Sequence, residues 1–264
     1  MNEKANLATA RPPRRATGRR WWCALGVAVT MLLVACGGGD SSDDKDRATT
    51  TAPTTTTTTI PPPAEDKARA ERIVLTAADV PGFKADPPDA EEEEAAGDSA
   101  YEAFARCVNN NPLATAGDDD PREAESPDFS KGETETVSSS ATFAEKEEIA
   151  SALLTDLTAP AFAGCFDSAL AKIFEAELGA AAAAVKVSTT PLPAQALGDQ
   201  SVAYRSVVTV PTGRSSRTTF NIDSTFIRKG RAVGVLVVMR QGSPFRDSER
   251  MRLASLMATR MASA

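Results

Sequence analysis

Thiols are the strongest nucleophiles in this chain of 264 residues, and there are four of them: Cys23, Cys36, Cys107 and Cys165. Histidine is absent, so Ser-His-Asp and Cys-His relays lack their base and histidine-based zinc sites lack their ligands. Two cysteines as far apart as Cys107 and Cys165 do not make a structural zinc site on their own. Ser42-Asp43-Asp44-Lys45 fits S-x-x-K, but that pattern has meaning only in a folded pocket, and here it stands in a polar spacer. Asp118-Asp119-Asp120 lacks the glycine and glutamate that complete a calcium loop. No phosphate-cradling glycine loop follows an expected strand. The 36 acids leave paired-carboxylate hydrolysis open, yet no spacing selects a pair. No catalytic residue, metal or cofactor is assigned.

One polar constellation remains. Along residues 201–210, Val202, Tyr204, Val208 and Val210 fall on one side and Arg205 and Thr209 on the other. Along 217–228, Phe220, Ile222 and Phe226 alternate with Thr219, Asn221, Asp223 and Thr225. If the hairpin pairs like parity, Arg205, Asn221 and Asp223 share a polar sheet face, which would contact a ligand or partner. The competing reading is a solvated outer face with a cross-strand Arg–Asp pair contributing under about 1 kcal/mol.

The elements that would position these groups follow from periodicity. Residues 65–75 read as a short helix with Ala68, Ile73 and Val74 inward, ended by a Pro81-Gly82 turn. A second helix over 99–108 carries Tyr101, Phe104 and Val108, and the acidic stretch 117–131 reads as a mobile loop. Residues 137–143 alternate as a strand. Ile149, Leu153, Leu154 and Leu157 stripe a helix over 144–157, and Cys165 opens the next one, with Phe166, Leu170, Ile173 and Phe174. Strands follow at 185–189, 201–210, 217–228 and 231–241, with turns at Thr212-Gly213 and Lys229-Gly230. Ser243 and Pro244 supply an N-cap and N1 for a last helix, whose inner stripe is Leu253, Leu256, Met257 and Met261. The fold class expected is α+β: an antiparallel sheet of about 4–5 strands with helices packed mainly on one face.

The amino-terminal stretch has a different logic. Arg11, Arg14, Arg15, Arg19 and Arg20 precede an apolar run from Trp21 to Ala35, which ends Leu33-Val34-Ala35-Cys36. A basic region, a short apolar core and small residues before a cut make a secretory leader. The run has 15 residues, short for a bilayer span of about 20; an uncleaved signal anchor is the alternative. Leu-Val-Ala-Cys closely resembles the lipobox of bacterial lipoproteins. That resemblance implies removal of residues 1–35 and lipidation of Cys36, placing the protein at the outward side of the cell membrane. In that oxidising setting Cys107 and Cys165 form a disulfide by default, stabilising by about 4 kcal/mol on the chain-entropy model; two buried free thiols are the alternative.

Residues 36–64, rich in glycine, then acids, then threonine and proline, have almost nothing apolar to bury and read as a disordered tether. The threonines from Thr54 to Thr59 are candidate O-glycosylation sites. Residues 65–264 form one domain, since 42% hydrophobic composition is enough for a packed core. Charge is uneven: residues 201–264 hold 11 bases and three acids although the whole chain carries −7. Either the last third meets an anionic partner or it packs beside the acidic front.

Within the domain, LTAADVPGF (Leu75–Phe83), Cys107, VSSSATF (Val137–Phe143), the helix entering at Cys165, GDQSVAYR and DSTFIRKGRAVGVLVV resemble a group of actinobacterial cell-envelope lipoproteins. The arrangement is also similar, more distantly, to the extracellular sensor domain of mycobacterial receptor-type Ser/Thr kinases. This implies a non-catalytic ligand-binding or sensing domain, with an unidentified small molecule, lipid or glycan as ligand or an envelope protein as partner. Those sensor domains typically have two disulfides, where this chain has cysteines for one. Nucleic acid is not an expected partner. A carboxylate-type hydrolase of envelope polymers and an assembly partner of an envelope complex are the alternatives.

Overall fold

The computed structural model describes residues 60–86, 121–178, 185–193, 195–212 and 216–264. Cys36, Cys107, the threonine run, the helix expected over 99–108 and the acids Asp118–Asp120 lie outside these residues. In chain order the elements are α1 (Pro63–Ile73), β1 (Lys84–Ala85), β2 (Ala124–Glu125), β3 (Phe129–Lys131) and β4 (Glu135–Phe143). Next come α2 (Glu147–Leu157), α3 (Phe162–Leu178), β5 (Lys186–Pro191), β6 (Gln200–Pro211), β7 (Arg217–Lys229), β8 (Ala232–Gln241) and α4 (Asp247–Ser263).

The class is α+β with an antiparallel sheet, but the sheet has eight strands where four or five were expected. Its order is β1-β3-β4-β8-β7-β6-β5, with β2 also paired to β4. The three extra strands are only two or three residues long, two of them within the stretch read as a mobile loop. Ala124 and Phe129, buried at positions opposite Ala141 and Val137 of β4, anchor that edge. Two isolated apolar residues among acids give no periodic signal, so tertiary pairing fixed what propensity did not.

Helices cover both faces of the sheet, where packing mainly on one face was expected. Val233, Val235, Val237 and Met239 of β8 pack with Leu153, Leu157, Phe162 and Phe166 of α2 and α3. Ala232, Leu236 and Val238 of the same strand pack with Ile73 of α1 and with Leu253 and Met257 of α4. The sequence AVGVLVVM is apolar at every position because both sides of β8 are inside, as in strands sandwiched between helix layers. Each such side chain, when fully buried, stabilises by roughly 1.5–3 kcal/mol. On the α2–α3 side, Phe162 stacks on Phe166 at 5.4 Å and meets Tyr204 at 4.7 Å between centroids.

Local sequence sets several boundaries. Pro63 occupies the first turn of α1, where its fixed φ and missing N–H are no handicap; the helix thus starts inside the span assigned to the tether. Its buried side is Asp66, Ala70 and Ile73, and Ala68 is exposed instead of inward. The last helix begins at Asp247, with Arg246 at the N-cap position and no side-chain cap. Ser243 and Pro244 are not its start, because Phe245 is drawn into the core at 3% exposure. Leu256 is half-buried, and Ala254 takes the inner position. Gly234 lets α4 approach β8: a Cβ there would stand 3.3 Å from Met257 Cε and 3.4 Å from Met261 Sδ. Gly230, at φ +56°, turns β7 into β8.

Candidate functional site

Strand register brings the predicted trio together. Arg205 of β6 lies directly opposite Asp223 of β7, and Asn221, two residues away, is on the same side. That side is the α1–α4 face, so the trio is not on an outer, solvated surface: α4 covers it. Asp223 is completely buried. Arg205 grips it in a two-pronged contact, Nε to Oδ1 at 2.6 Å and Nη2 to Oδ2 at 2.7 Å. Arg205 Nη2 also donates to Asp247 Oδ1 at 3.1 Å, in the first turn of α4, where an acid complements the helix dipole. The bond to Asp223, and secondarily Asp247, holds the Arg205 guanidinium pKa above its usual value, against the opposing effect of burial.

From α4, Arg250 completes the group, with Nε 3.5 Å from Asp223 Oδ2 and Nη2 3.5 Å from Asp247 Oδ1. Asn221 stands apart; its Nδ2 donates to the Gly242 carbonyl at 3.3 Å. Two arginines and two aspartates thus fasten the start of α4 to the middle of the sheet. Removing Asp223 or Arg250, the two buried members, costs about 3–5 kcal/mol, because the remaining charge loses its counter-ion. The arrangement neutralises itself.

Two similar clusters stabilise other junctions. Asp66 of α1, also fully buried, accepts from Arg231 Nη2 at 2.8 Å and Nη1 at 3.1 Å and from Arg69 at 3.3 Å. Both guanidiniums lie over the Phe143 ring, at 4.3 and 5.6 Å. In the LTAAD turn, Asp79 accepts from the Thr76 N–H at 2.7 Å and from Arg260 of α4 at 2.8 and 2.9 Å. Burial works against ionisation of Asp79, yet the Thr76 and Arg260 bonds outweigh it and lower its pKa. Beside the β7–β8 turn Asp199 is lowered mainly by the Lys229 ammonium at 2.7 Å. Arg228, Arg231, Arg240 and Arg260, all from the basic last third, pair with Glu147, Asp66, Glu135 and Asp79. Those pairings match the reading in which this third packs beside the acidic front.

Reasoning from the sequence missed Asp66, Asp247 and Arg250. The signal was present: Arg250 precedes Leu253, Ala254 and Met257 in the apolar stripe of α4, and Asp66 precedes Ala70 and Ile73 in that of α1. A charge at a core position of a helix implies a buried counter-ion. Cys165 is buried and disulfide-bonded; its expected partner, Cys107, lies outside the described residues. Among the described residues no cluster of three or more acids, cysteines or histidines is arranged to hold a metal, and no single helix is long and apolar enough to cross a membrane.

The α2–α3 face carries a different kind of polar group. Thr136, Ser138, Ser140 and Thr142 of β4 are all buried on that side, as is Ser224 of β7. Tyr204 donates to the Leu157 carbonyl at 2.6 Å, and Thr189 shares a 2.6 Å bond with Ser206. Thr136 Oγ1, Ser140 Oγ and Ser224 Oγ have no partner. No known protein family matches this chain, and no curated protein is significantly similar to it.

Proposed function

We propose that the protein is a lipid-anchored, extracytoplasmic lipoprotein whose domain binds or senses a ligand and performs no catalysis. The observation that carries the non-catalytic part is the fate of the two completely buried carboxylates. Asp66 and Asp223 are each held by guanidinium groups at 2.6–3.1 Å. Acid–base catalysis needs a carboxyl free to exchange a proton near neutral pH, whereas these are occupied in fixing helices to the sheet. The location rests on Leu33-Val34-Ala35-Cys36 behind its basic and apolar segments. A tether with the composition of residues 36–62 reaches roughly 30 Å as a coil and about 80 Å when drawn out, enough to stand the domain off a lipid surface.

The test is fractionation of a strain expressing the chain with Cys36→Ser, with labelled fatty acid supplied. The native chain is expected in the membrane fraction carrying label and lacking residues 1–35. The variant is expected unlabelled and released. Equal membrane retention of an unprocessed variant would overturn the assignment. Pairing of Cys107 with Cys165 belongs to the same reading. Thiol titration of the unfolded, unreduced protein should then find no reactive thiol at either position.

A further inference from the structure

We propose that the open side of the β5–β6–β7 half-sheet, beside the start of α4, binds a carboxylate-bearing polysaccharide; this deepens the binding reading above and rests on it. On the α1–α4 side of the sheet, α4 lies on β7 and β8. Beyond it the surface is open. Lys186, Ser188 and Thr190 of β5 pair there with Thr209, Val207 and Arg205 of β6, and Thr209 pairs in turn with Thr219 of β7. All of these side chains are exposed or half-buried, whereas Leu236 and Val238 of β8, on the same side, are sealed beneath the helices.

The charge on this surface is one-sided. Arg205 and Arg250 are balanced by Asp223 and Asp247, and Arg240 by Glu135. Lys186, Arg217 at the start of β7 and Arg246 just before α4 are exposed, and no acid among the described residues pairs with them. Arg246 stands where the chain passes from Gly242, whose carbonyl accepts from Asn221, to Asp247 beside Arg205. Register sets Lys186 and Arg217 two strand spacings and one pleat repeat apart, about 12 Å. To meet one small anion, both side chains would have to lie flat over Thr209. A polymer with repeated anionic groups meets them without that convergence.

The groups between the cations select the polymer. The hydroxyls of Ser188, Thr190, Thr209 and Thr219 both donate and accept, which matches the hydroxyls of sugar rings. Carboxylates on the same chain bond guanidinium and ammonium groups with charge assistance, and Val207 offers apolar surface to one face of a ring. A protein partner would need a large apolar anchor at the centre of its interface, and nucleic-acid bases would need aromatic platforms. Among the described residues this surface has neither. A lipid surface is disfavoured by position. The tether joins α1 at Pro63, and Asp66, within one turn, meets Arg231 just before β8. The ten residues of β8, roughly 30 Å long, separate that end of the sheet from the row of Lys186, Thr209 and Thr219.

The experiment is calorimetric titration of the full chain, in an uncharged detergent without sugar groups, with hexagalacturonate. Maltohexaose, which is neutral, and hexaglutamate, an acidic peptide, are titrated separately. The native protein is expected to bind hexagalacturonate several-fold more tightly than hexaglutamate, to leave maltohexaose unbound, and to lose affinity as salt rises. Lys186→Gln and Arg217→Gln are each expected to weaken binding about threefold, and Thr209→Val by a similar factor through its lost hydroxyl. None of the three positions is buried, so the variants should fold as the native chain does. Lys84→Gln, exposed on β1 at the other edge of the sheet, is expected to leave affinity unchanged. Absence of binding by the native chain, equal binding of maltohexaose, or affinity indifferent to Lys186 and Arg217 would each overturn the proposal. Equal binding of hexaglutamate would also overturn it, by showing a surface for acidic proteins, while leaving the domain a binding domain. Because the titration does not depend on where the protein resides, failure here leaves the anchor test intact, and failure of the anchor test leaves this result standing.

Discussion

The two faces of this sheet bury polar groups by opposite rules. Under α1 and α4 the buried polar side chains are partnered: Asp66 and Asp223 each meet more than one guanidinium, and Ser139, Asn221 and Thr225 are hydrogen-bonded. On the opposite face three hydroxyls in the middle of the sheet, those of Thr136, Ser140 and Ser224, meet nothing. The difference follows from magnitude. An uncompensated buried carboxylate is so costly that folding would fail or the group would take up a proton, whereas an unpartnered hydroxyl costs only about 1–3 kcal/mol. A fold tolerates a lone hydroxyl in its interior; it does not tolerate a lone carboxylate.

β4 displays the contrast between adjacent residues. Ser139 faces α1 and accepts the Leu75 N–H at 2.8 Å, tying the LTAAD segment to the sheet. Ser140, one residue on, faces the other way and has no partner.

The largest effect that would break this contrast is expected from Asp66→Ala. It leaves Arg69 and Arg231 facing one another over Phe143 and should lower unfolding free energy by about 3–5 kcal/mol, measured by urea denaturation. A loss under about 1 kcal/mol would mean the ionic face is as tolerant as the hydroxyl face. Next, Ser139→Ala should cost about 1–3 kcal/mol by stranding the Leu75 amide.

Asp79→Asn sharpens the ionic side through pH. The native Asp79 has a lowered pKa, so its contribution is present above the unfolded value of 3.8 and disappears as pH falls through the lower folded value. The variant should therefore be less stable than the native chain at pH 6 by about 1 kcal/mol, with the gap closing below that carboxylate range. A gap constant from pH 6 to pH 2 would contradict the ionic role. The smallest effect is expected from Ser140→Ala: within about 0.5 kcal/mol of the native chain, or slightly stabilising, in the same denaturation assay. A loss matching that of Ser139→Ala would show that the hydroxyl has a partner after all.

Much of this was legible in the sequence. Two-residue alternation correctly put Arg205, Asn221 and Asp223 on one face, and the four long strands from β5 to β8 were placed within a residue or two. Alternation alone does not reveal what covers a face. Val202, Tyr204, Val208 and Val210 were grouped on one side, and the polar side opposite was read as a ligand-contacting or a solvated face, not as one covered by a helix. The stronger clue was β8, where eight successive positions from Ala232 to Met239 carry only glycine and apolar side chains and so report two covered sides. Arg250 and Asp66 were overlooked for a related reason: helical stripes are found by their apolar members, and a charge inside the stripe reads as an interruption. The short strands β2 and β3 leave no periodic trace at all. The unpartnered hydroxyls were visible only as small residues in an alternating strand, since the lack of a partner is a property of three dimensions.

One feature of α1 has a mechanical consequence. The chain enters the folded domain at Pro63, and within one turn reaches Asp66, clasped by Arg231 at the start of β8, a strand flanked on both sides by β4 and β7. Tension arriving from the amino-terminal side is therefore delivered to an interior strand. Such a load meets a strand hydrogen-bonded along both edges, instead of a rim strand held along one.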